Sequence, residues 1–258
     1  MMLSINNLTV RYGEKNVLDG LNLEIKEGLN VLLGLNGSGK TTLFKAINGA
    51  LKPVNGTIKL DDADVAKLSS KRRATLFASV QGTHRTLNGI TARALVEMAF
   101  YPRSAIIHNL TKKEKETIEE TAARFGAGHL LDRLTETLSA GERQLVELVA
   151  AVCQDTPVLL LDEPSSALDF NKTHEFFSMA KPLCGNKILF ATLHDPNLAL
   201  AYADNVILLG DGKIAGGFNP AVADSTEIEE KLALIYTDLK VIETNRGRSV
   251  VYAPADVQ

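Results

Sequence analysis

The chain has 258 residues, of which 45% are apolar and 23% charged. That is an ordinary globular balance with no sign of disorder, and the length suits one large α/β domain or a domain with a substantial insertion. The formal net charge of −3 argues against a dedicated nucleic-acid binder, which carries a basic excess.

In chain order, the first thirty residues alternate in polarity. Leu3, Ile5, Leu8 and Val10 are followed by Val17, Leu21, Leu23 and Ile25, with turns at Tyr12-Gly13-Glu14 and Lys26-Glu27-Gly28. This pattern predicts antiparallel strands with one buried face. Asn30 to Leu33 reads as a short buried strand that feeds a glycine-rich loop, and Lys40 to Asn48 as a helix stopped by Gly49. The loop, Gly34-Leu-Asn36-Gly37-Ser38-Gly39-Lys40-Thr41-Thr42, has the strand-then-helix context of a phosphate-binding loop. Its glycines let successive backbone N–H groups turn toward phosphate oxygens, and the helix start adds positive potential. Lys40 would reach the β- and γ-phosphates, and the Thr41 hydroxyl would ligate Mg²⁺.

Residues 57–60 and 75–80 read as further strands. From about Gly89 to Cys153 the character becomes helical. Thr111 with Glu114, and Ser139 with Glu142, have the S/T-x-x-E spacing of a capping box, each at the start of a helix. Strand–helix alternation then resumes. Val158–Leu161 is a strand, a helix follows that is capped near Asn171, and Lys187–Ala191 is the next strand. Asp195-Pro196 opens another helix, and Asn205–Leu209 is a last core strand. Such alternation implies a mostly parallel sheet with helices on its faces. Glu227 to Val251 reads as one helix and a hairpin around Arg246-Gly247. The apolar run Val158–Leu161 ends in Asp162-Glu163, two carboxylates at the C-terminal edge of a buried strand, where α/β folds bind ligands. Asp162 would hold Mg²⁺ and Glu163 would face an attacking water.

Cys153 and Cys184 lie in apolar surroundings without metal-ligand spacing and read as buried small side chains in a reducing compartment. No cationic leader precedes an apolar stretch at the N-terminus. No uninterrupted apolar run reaches the ~18 residues of a membrane span. A soluble, cytoplasmic chain is expected.

The phosphate loop, the segment Leu138-Ser139-Ala140-Gly141-Glu142-Arg143-Gln144 and the strand ending in Asp162-Glu163, in this order, resemble the nucleotide-binding subunit of an ATP-binding-cassette (ABC) transporter. The resemblance covers nearly the whole chain. It implies an α/β P-loop NTPase core of mostly parallel sheet with helices on both faces and an antiparallel β subdomain, into which an α-helical subdomain is inserted. The core would span 1–88 and 154–222, the helical subdomain 89–153, and a C-terminal helix and hairpin 223–258. ATP and Mg²⁺ are the implied cofactors, with Thr41, Gln81 and Asp162 on the metal.

Further roles follow from the resemblance. Tyr12 would stack on adenine, Gln81 would touch Mg²⁺ and the water, and His194 would contact the γ-phosphate. Ser139 and the Gly141 amide, with Glu142 in the same segment, would meet ATP held by the opposite subunit, and Asp169 would sit at the dimer seam. Ala140 stands where the family most often has Gly. The other histidines, His84, His108, His129 and His174, read as structural. The implied partners are a second copy in a head-to-tail dimer, membrane permease subunits and, indirectly, a substrate-binding protein, with no nucleic acid. The implied location is the cytoplasmic face of the membrane. Thr192-Leu-His-Asp195, Asn197 to Asp204, Met98 to Pro102 and Leu234-Ile-Tyr236 are similar to ATPases of iron–siderophore, haem and cobalamin importers. Pro196, commonly Leu there, and the short segment from Gly82 to Arg85 depart from that pattern. Two other classes compete: ABC ATPases for another cargo (zinc, molybdate, amino acid), and soluble ABC ATPases such as that of iron–sulfur assembly.

Overall fold

The computed structural model describes residues 1–81, 88–103, 109–245 and 247–254. The segment Gly82 to Arg85, with His84, and also His108 and Arg246 lie outside the described residues. In chain order the elements begin with strands β1 (Met2–Tyr12), β2 (Lys15–Lys26) and β3 (Gly28–Leu33), followed by helix α1 (Lys40–Ile47). Next come β4 (Asn55–Leu60), β5 (Ala63–Asp64), α2 (Ser70–Ala74), β6 (Phe77–Gln81), α3 (Ala92–Glu97), α4 (Lys112–Arg124) and α5 (Ala140–Cys153). The C-terminal part runs β7 (Val158–Asp162), α6 (Phe170–Ala180), β8 (Ile188–Leu193), α7 (Pro196–Tyr202), β9 (Asn205–Gly210) and β10 (Lys213–Phe218). It closes with α8 (Ser225–Leu232), β11 (Leu239–Thr244) and β12 (Gly247–Tyr252).

These elements form two compact units, 1–67 with 184–258, and 68–183. In the first unit β1 pairs antiparallel with β2 and β4, and β4 with β5. The alternation seen in the sequence becomes cross-strand apolar pairs: Leu3 opposite Ile25, Leu8 opposite Leu21 and Val10 opposite Leu18. All six side chains are buried, which fixes the register, since a one-residue slip would expose the whole set. In the same unit β3 is flanked by two parallel neighbours, β8 and β9. Leu29 to Leu33 are all buried, and the nearly continuous apolar run is what a strand covered on both faces shows, having no solvent side to keep polar. The one polar residue in it, Asn30, is buried and satisfied. It donates to the Lys26 and Gly28 carbonyls at 2.8 and 3.1 Å and accepts from the Asn205 amide at 3.2 Å.

In the second unit β6 and β7 run parallel, Phe77 opposite Val158 through Gln81 opposite Asp162. Helix α5 buries Val146, Leu148, Val149 and Cys153 and packs against α3 and α4. This unit contains the whole helical stretch 89–153 together with β6, β7 and α6.

Two local expectations need correction, and one strand goes beyond them. The strand expected over 75–80 begins at Phe77, because Ser69 caps a short helix that ends at Ala74 with Thr75 as its C-cap; the Ser69 hydroxyl accepts from the Arg72 amide at 3.2 Å. Helix α6 is capped by Asp169 rather than near Asn171, the Asp169 carboxylate accepting from the Lys172 amide at 2.9 Å. The chain also turns at Asp211-Gly212, both at positive φ, to form β10 antiparallel to β9; the sequence reading does not include that strand. Both cysteines are free and buried, as expected, and burial pushes the Cys153 thiol pKa up. No helix among the described residues is long and apolar enough to cross a membrane.

Candidate functional site

The loop from Gly34 to Thr42 leaves the C-terminal end of β3 and turns directly into α1. Two of its glycines have positive φ, Gly37 at 79° and Gly39 at 108°, conformations that a side chain would strain. Gly39 occupies the cap position of α1, and no side chain caps that helix. Its first-turn N–H groups therefore remain donors for a ligand anion, with the positive end of the helix dipole behind them. Other elements press close on the loop. A methyl on Gly34 would lie 2.6 Å from Ser38 Oγ and 2.7 Å from the Leu209 carbonyl; one on Gly39 would lie 2.8 Å from the Leu18 side chain.

Lys40 is buried to 5% exposure, a placement a lone ammonium does not tolerate. It is held by the carbonyls of Gly34 and Leu35, which accept from Nζ at 2.8 and 3.3 Å. Ser38 Oγ is buried with no hydrogen-bond partner. A loop that carries a buried cation, an unpaired hydroxyl and an uncapped helix start has the chemistry to hold a phosphate chain. Thr41 follows Lys40 and is exposed, while Thr42 is half-buried.

The same unit brings His194 to the same edge. Leu33 pairs with Leu193 across the parallel β3–β8 ladder, so Gly34 and His194 leave their strands at matching heights. His194 is exposed. Tyr12 ends β1 and is 49% exposed, as an aromatic face available for stacking would be. It pairs with Lys15 across a turn in which Gly13 has φ 58°.

The second unit positions the remaining candidates. Gln81 and Asp162 end β6 and β7 as register partners, so their backbones share one strand edge. Glu163 follows at φ 53°, a left-handed turn that costs a non-glycine residue roughly 1–2 kcal/mol. The Asp162 carboxylate offers an oxygen donor of the kind that suits Mg²⁺. Among the described residues no group of three or more His, Cys, Asp or Glu could hold a metal. Oxygens of a bound phosphate chain would complete such a site, the usual arrangement for Mg²⁺.

Ser139 caps α5 through a complete capping box. Its hydroxyl accepts from the Glu142 amide at 3.3 Å, and its own amide donates to the Glu142 carboxylate at 2.8 Å. Arg133 adds a 2.8 Å ion pair to the same carboxylate while donating to the Thr137 carbonyl at 2.7 Å. The Ser139 backbone N–H, the Ser139 hydroxyl and Arg133 together hold Glu142 at a pKa of about 2 against the usual 4.5. Ser139 stays exposed at the helix start. Gly141 faces Leu168, where a methyl would come within 3.1 Å, so this glycine lets the start of α5 approach the segment that leads to Asp169. The sequence reading passes over Arg133 and Leu168. Arg133 is nine residues before Glu142, and only the fold of the intervening turn joins them.

A protein-family model described as "ABC transporter" matches residues 18–166. The chain is 32% identical over 233 residues to the petrobactin import ATP-binding protein FpuD of Bacillus anthracis, an alignment covering 89% of this chain and 84% of that one. It is 31% identical over 228 residues to the ferric enterobactin transport ATP-binding protein FepC of Escherichia coli, covering 87% and 84%. Among solved structures it is similar to the dimeric bacterial ABC transporter cassette MJ0796, with TM-score 0.76, 23% identity and coverage of 84% of this chain and 98% of that one. The post-hydrolysis state of that cassette, also dimeric and bound to ADP and Pi, superposes with TM-score 0.75 at 23% identity over the same shares. At this identity the structural likeness speaks for the fold.

Proposed function

Because the chain belongs to the ABC transporter family and is an ATP-hydrolysing, ATP-binding subunit of it, we propose that it powers a membrane importer for an iron chelate, haem or cobalamin. The observation that carries the ATPase reading is the uncapped start of α1, with Lys40 buried beneath it and Ser38 Oγ unpaired. The cargo reading rests on relatives whose names specify petrobactin and ferric enterobactin, which favour a ferric chelate within that class. It is an association, since a nucleotide-binding subunit need not touch cargo.

In this reading Gly34, Asn36, Gly37, Ser38, Gly39 and Thr42 line the phosphate cradle, and Lys40 neutralises the β- and γ-phosphates. Tyr12 stacks on the adenine. Mg²⁺, held through Thr41, Gln81 and Asp162, supplies charge neutralisation on the phosphate oxygens. Glu163 orients the attacking water and takes its proton, and His194 holds the γ-phosphate. Ser139, Gly141 and Glu142 complete the nucleotide site of a second copy, and Asp169 lies at that seam. A head-to-tail two-fold dimer satisfies both sites with self-complementary surfaces. Residues 89–153 form the subdomain that meets the permease, beside a core of 1–88 and 154–222 and a tail of 223–258. The subunit is peripheral on the cytoplasmic face, served indirectly by a substrate-binding protein.

The test is Glu163→Gln. Hydrolysis should slow by on the order of 10²–10⁴ while ATP affinity holds, and the dimer should accumulate with ATP and Mg²⁺. A variant that hydrolyses at the parental rate would overturn the role of Glu163. One that binds ATP yet stays monomeric by light scattering at every concentration, with the permease present, would overturn the shared site.

A further inference from the structure

We infer that the C-terminal tail of this chain is a positioning device for His194, with Tyr236 and Asn197 as its two tethers. The inference rests on the reading of His194 as the γ-phosphate contact and adds what fixes that side chain. His194 is exposed on a two-residue turn between the end of β8 and the start of α7. On so short a turn, the backbone fixes where the Cα–Cβ bond points and which rotamers are allowed.

The tail supplies the holds on both sides. Tyr236, 42 residues further along the chain, donates its hydroxyl to the His194 carbonyl at 3.1 Å. Asn197, in the first turn of α7, bonds both backbone groups of Val250 in β12. Its Oδ1 accepts from the Val250 amide at 2.7 Å and its Nδ2 donates to the Val250 carbonyl at 3.1 Å. A side-chain amide here takes the place of a neighbouring strand. Between the tethered residues, Asp195 accepts from the Asn197 amide at 2.8 Å and caps α7. Burial, and then the charge of Asp195, push the Tyr236 phenol up to about 12, so it stays a donor at any physiological pH.

A tether transmits position only if its far end is fixed, and this one is. Leu234 and Ile235, the two residues before Tyr236, lie against bare backbone. A methyl on Gly216 would come within 3.1 Å of Leu234, and one on Gly210 within 3.3 Å of Ile235. The hairpin is tied to α8 by the Val241 amide, which donates to the Glu229 carboxylate at 2.8 Å. Arg248 anchors it further, donating to the Pro220 carbonyl at 2.5 Å and to the Ala223 carbonyl. The tail thus links β9, β10, α8 and the His194 turn within one unit. Tyr236 and Asn197 are positioning residues, since neither need touch the nucleotide.

Four full-length variants test this: Tyr236→Phe, Asn197→Ala, His194→Ala and the Tyr236→Phe/His194→Ala double variant, with single-turnover and steady-state ATP hydrolysis. Tyr236→Phe and Asn197→Ala should each lower kcat three- to tenfold with the KM for ATP within twofold and the melting temperature near that of the parent. The double variant should hydrolyse no more slowly than His194→Ala alone, because a residue that acts through His194 has nothing left to position. Unchanged kcat in both tether variants, or a double variant slower by the full Tyr236→Phe factor, would overturn the inference. If His194→Ala itself keeps the parental rate, the assignment of His194 falls, and this inference with it. Failure of the tether variants alone leaves that assignment standing.

Discussion

Glu142 serves two masters in one carboxylate: it closes the capping box with Ser139 and pairs with Arg133. Its pKa of about 2 lies below the ordinary 4.5, so the unfolded chain binds its proton first as pH falls. The stabilisation is therefore complete above about pH 4.5 and is lost as pH drops toward 2. Urea titrations across that window should show the stability of the parent declining with a steeper slope than that of Glu142→Gln. Equal slopes would remove the assignment. Glu163 is a different kind of residue. Among the described non-glycine residues at positive φ, the others are Asn7, Asp61, Asp155, Asp211 and Asp238. Those are short polar turn residues that tolerate the left-handed region. Glu163 is not, and a backbone strained beside a proposed reacting water is where such a cost tends to be kept.

At the scale of elements, the contrast between α1 and α5 is informative. Both begin beside proposed phosphate contacts, yet α5 carries a complete capping box and α1 carries no side-chain cap. The open donors of α1 remain available to a ligand, whereas the start of α5 is already satisfied by its capping box and leaves Ser139 exposed. The two positive-φ glycines ahead of α1 differ too. A methyl at Gly37 meets nothing within 4 Å, whereas one at Gly39 strikes Leu18 at 2.8 Å and the Val17 carbonyl at 3.2 Å. Gly37→Ala should carry backbone strain alone, on the order of 1–2 kcal/mol. Gly39→Ala should cost more by the clash and also disturb the start of α1. Denaturation midpoints should rank parent, Gly37→Ala, then Gly39→Ala, with ATP affinity lost most in the last. Equal midpoints for the two variants would mean that β2 gives way to the methyl.

At the scale of the whole molecule, the proposed work is done on a partner. The segment Met98–Arg103 exposes Met98 and Tyr101, the latter at 54%. Arg103 pins it, donating to the Asp155 carbonyl at 2.5 Å and pairing with its carboxylate at 3.7 Å. An exposed aromatic on a pinned segment suits a docking anchor, and under the proposed function its partner is the permease. Tyr101→Ala should impair uptake several-fold in cells while leaving the ATP affinity of the isolated subunit within twofold. Uptake at the parental level, or crosslinks that place the permease elsewhere with Tyr101 open, would defeat the assignment. Deletion of the whole chain should abolish uptake of one metal chelate and spare amino acids and sugars. Loss of a bare divalent metal or oxyanion with chelate import intact would displace the cargo and leave the ATPase reading in place.

What the sequence determined by itself was everything with a local cause. The Thr111–Glu114 and Ser139–Glu142 boxes form as their spacing predicts, because each closes within one helical turn. The alternation of β1 and β2 and the apolar runs of β3, β7 and β8 state their own burial. The glycines of the phosphate loop announce conformations that only glycine adopts cheaply. Tertiary structure decided what depends on pairing distant segments. Nothing near Leu33 specifies Leu193 as its neighbour, yet that register puts Gly34 and His194 at one edge. Nothing near His194 specifies Tyr236 or Val250, and nothing in an Asp-Glu-Pro sequence dictates φ 53° at Glu163. The turn at Asp211-Gly212 pairs β10 with β9, and Gly216 and Gly210 there lie against Leu234 and Ile235 from the tail. Capping and periodicity are settled within a few residues of chain. Register, strained turns and tethers are settled by the packing of segments far apart in sequence, and only the folded chain brings those together.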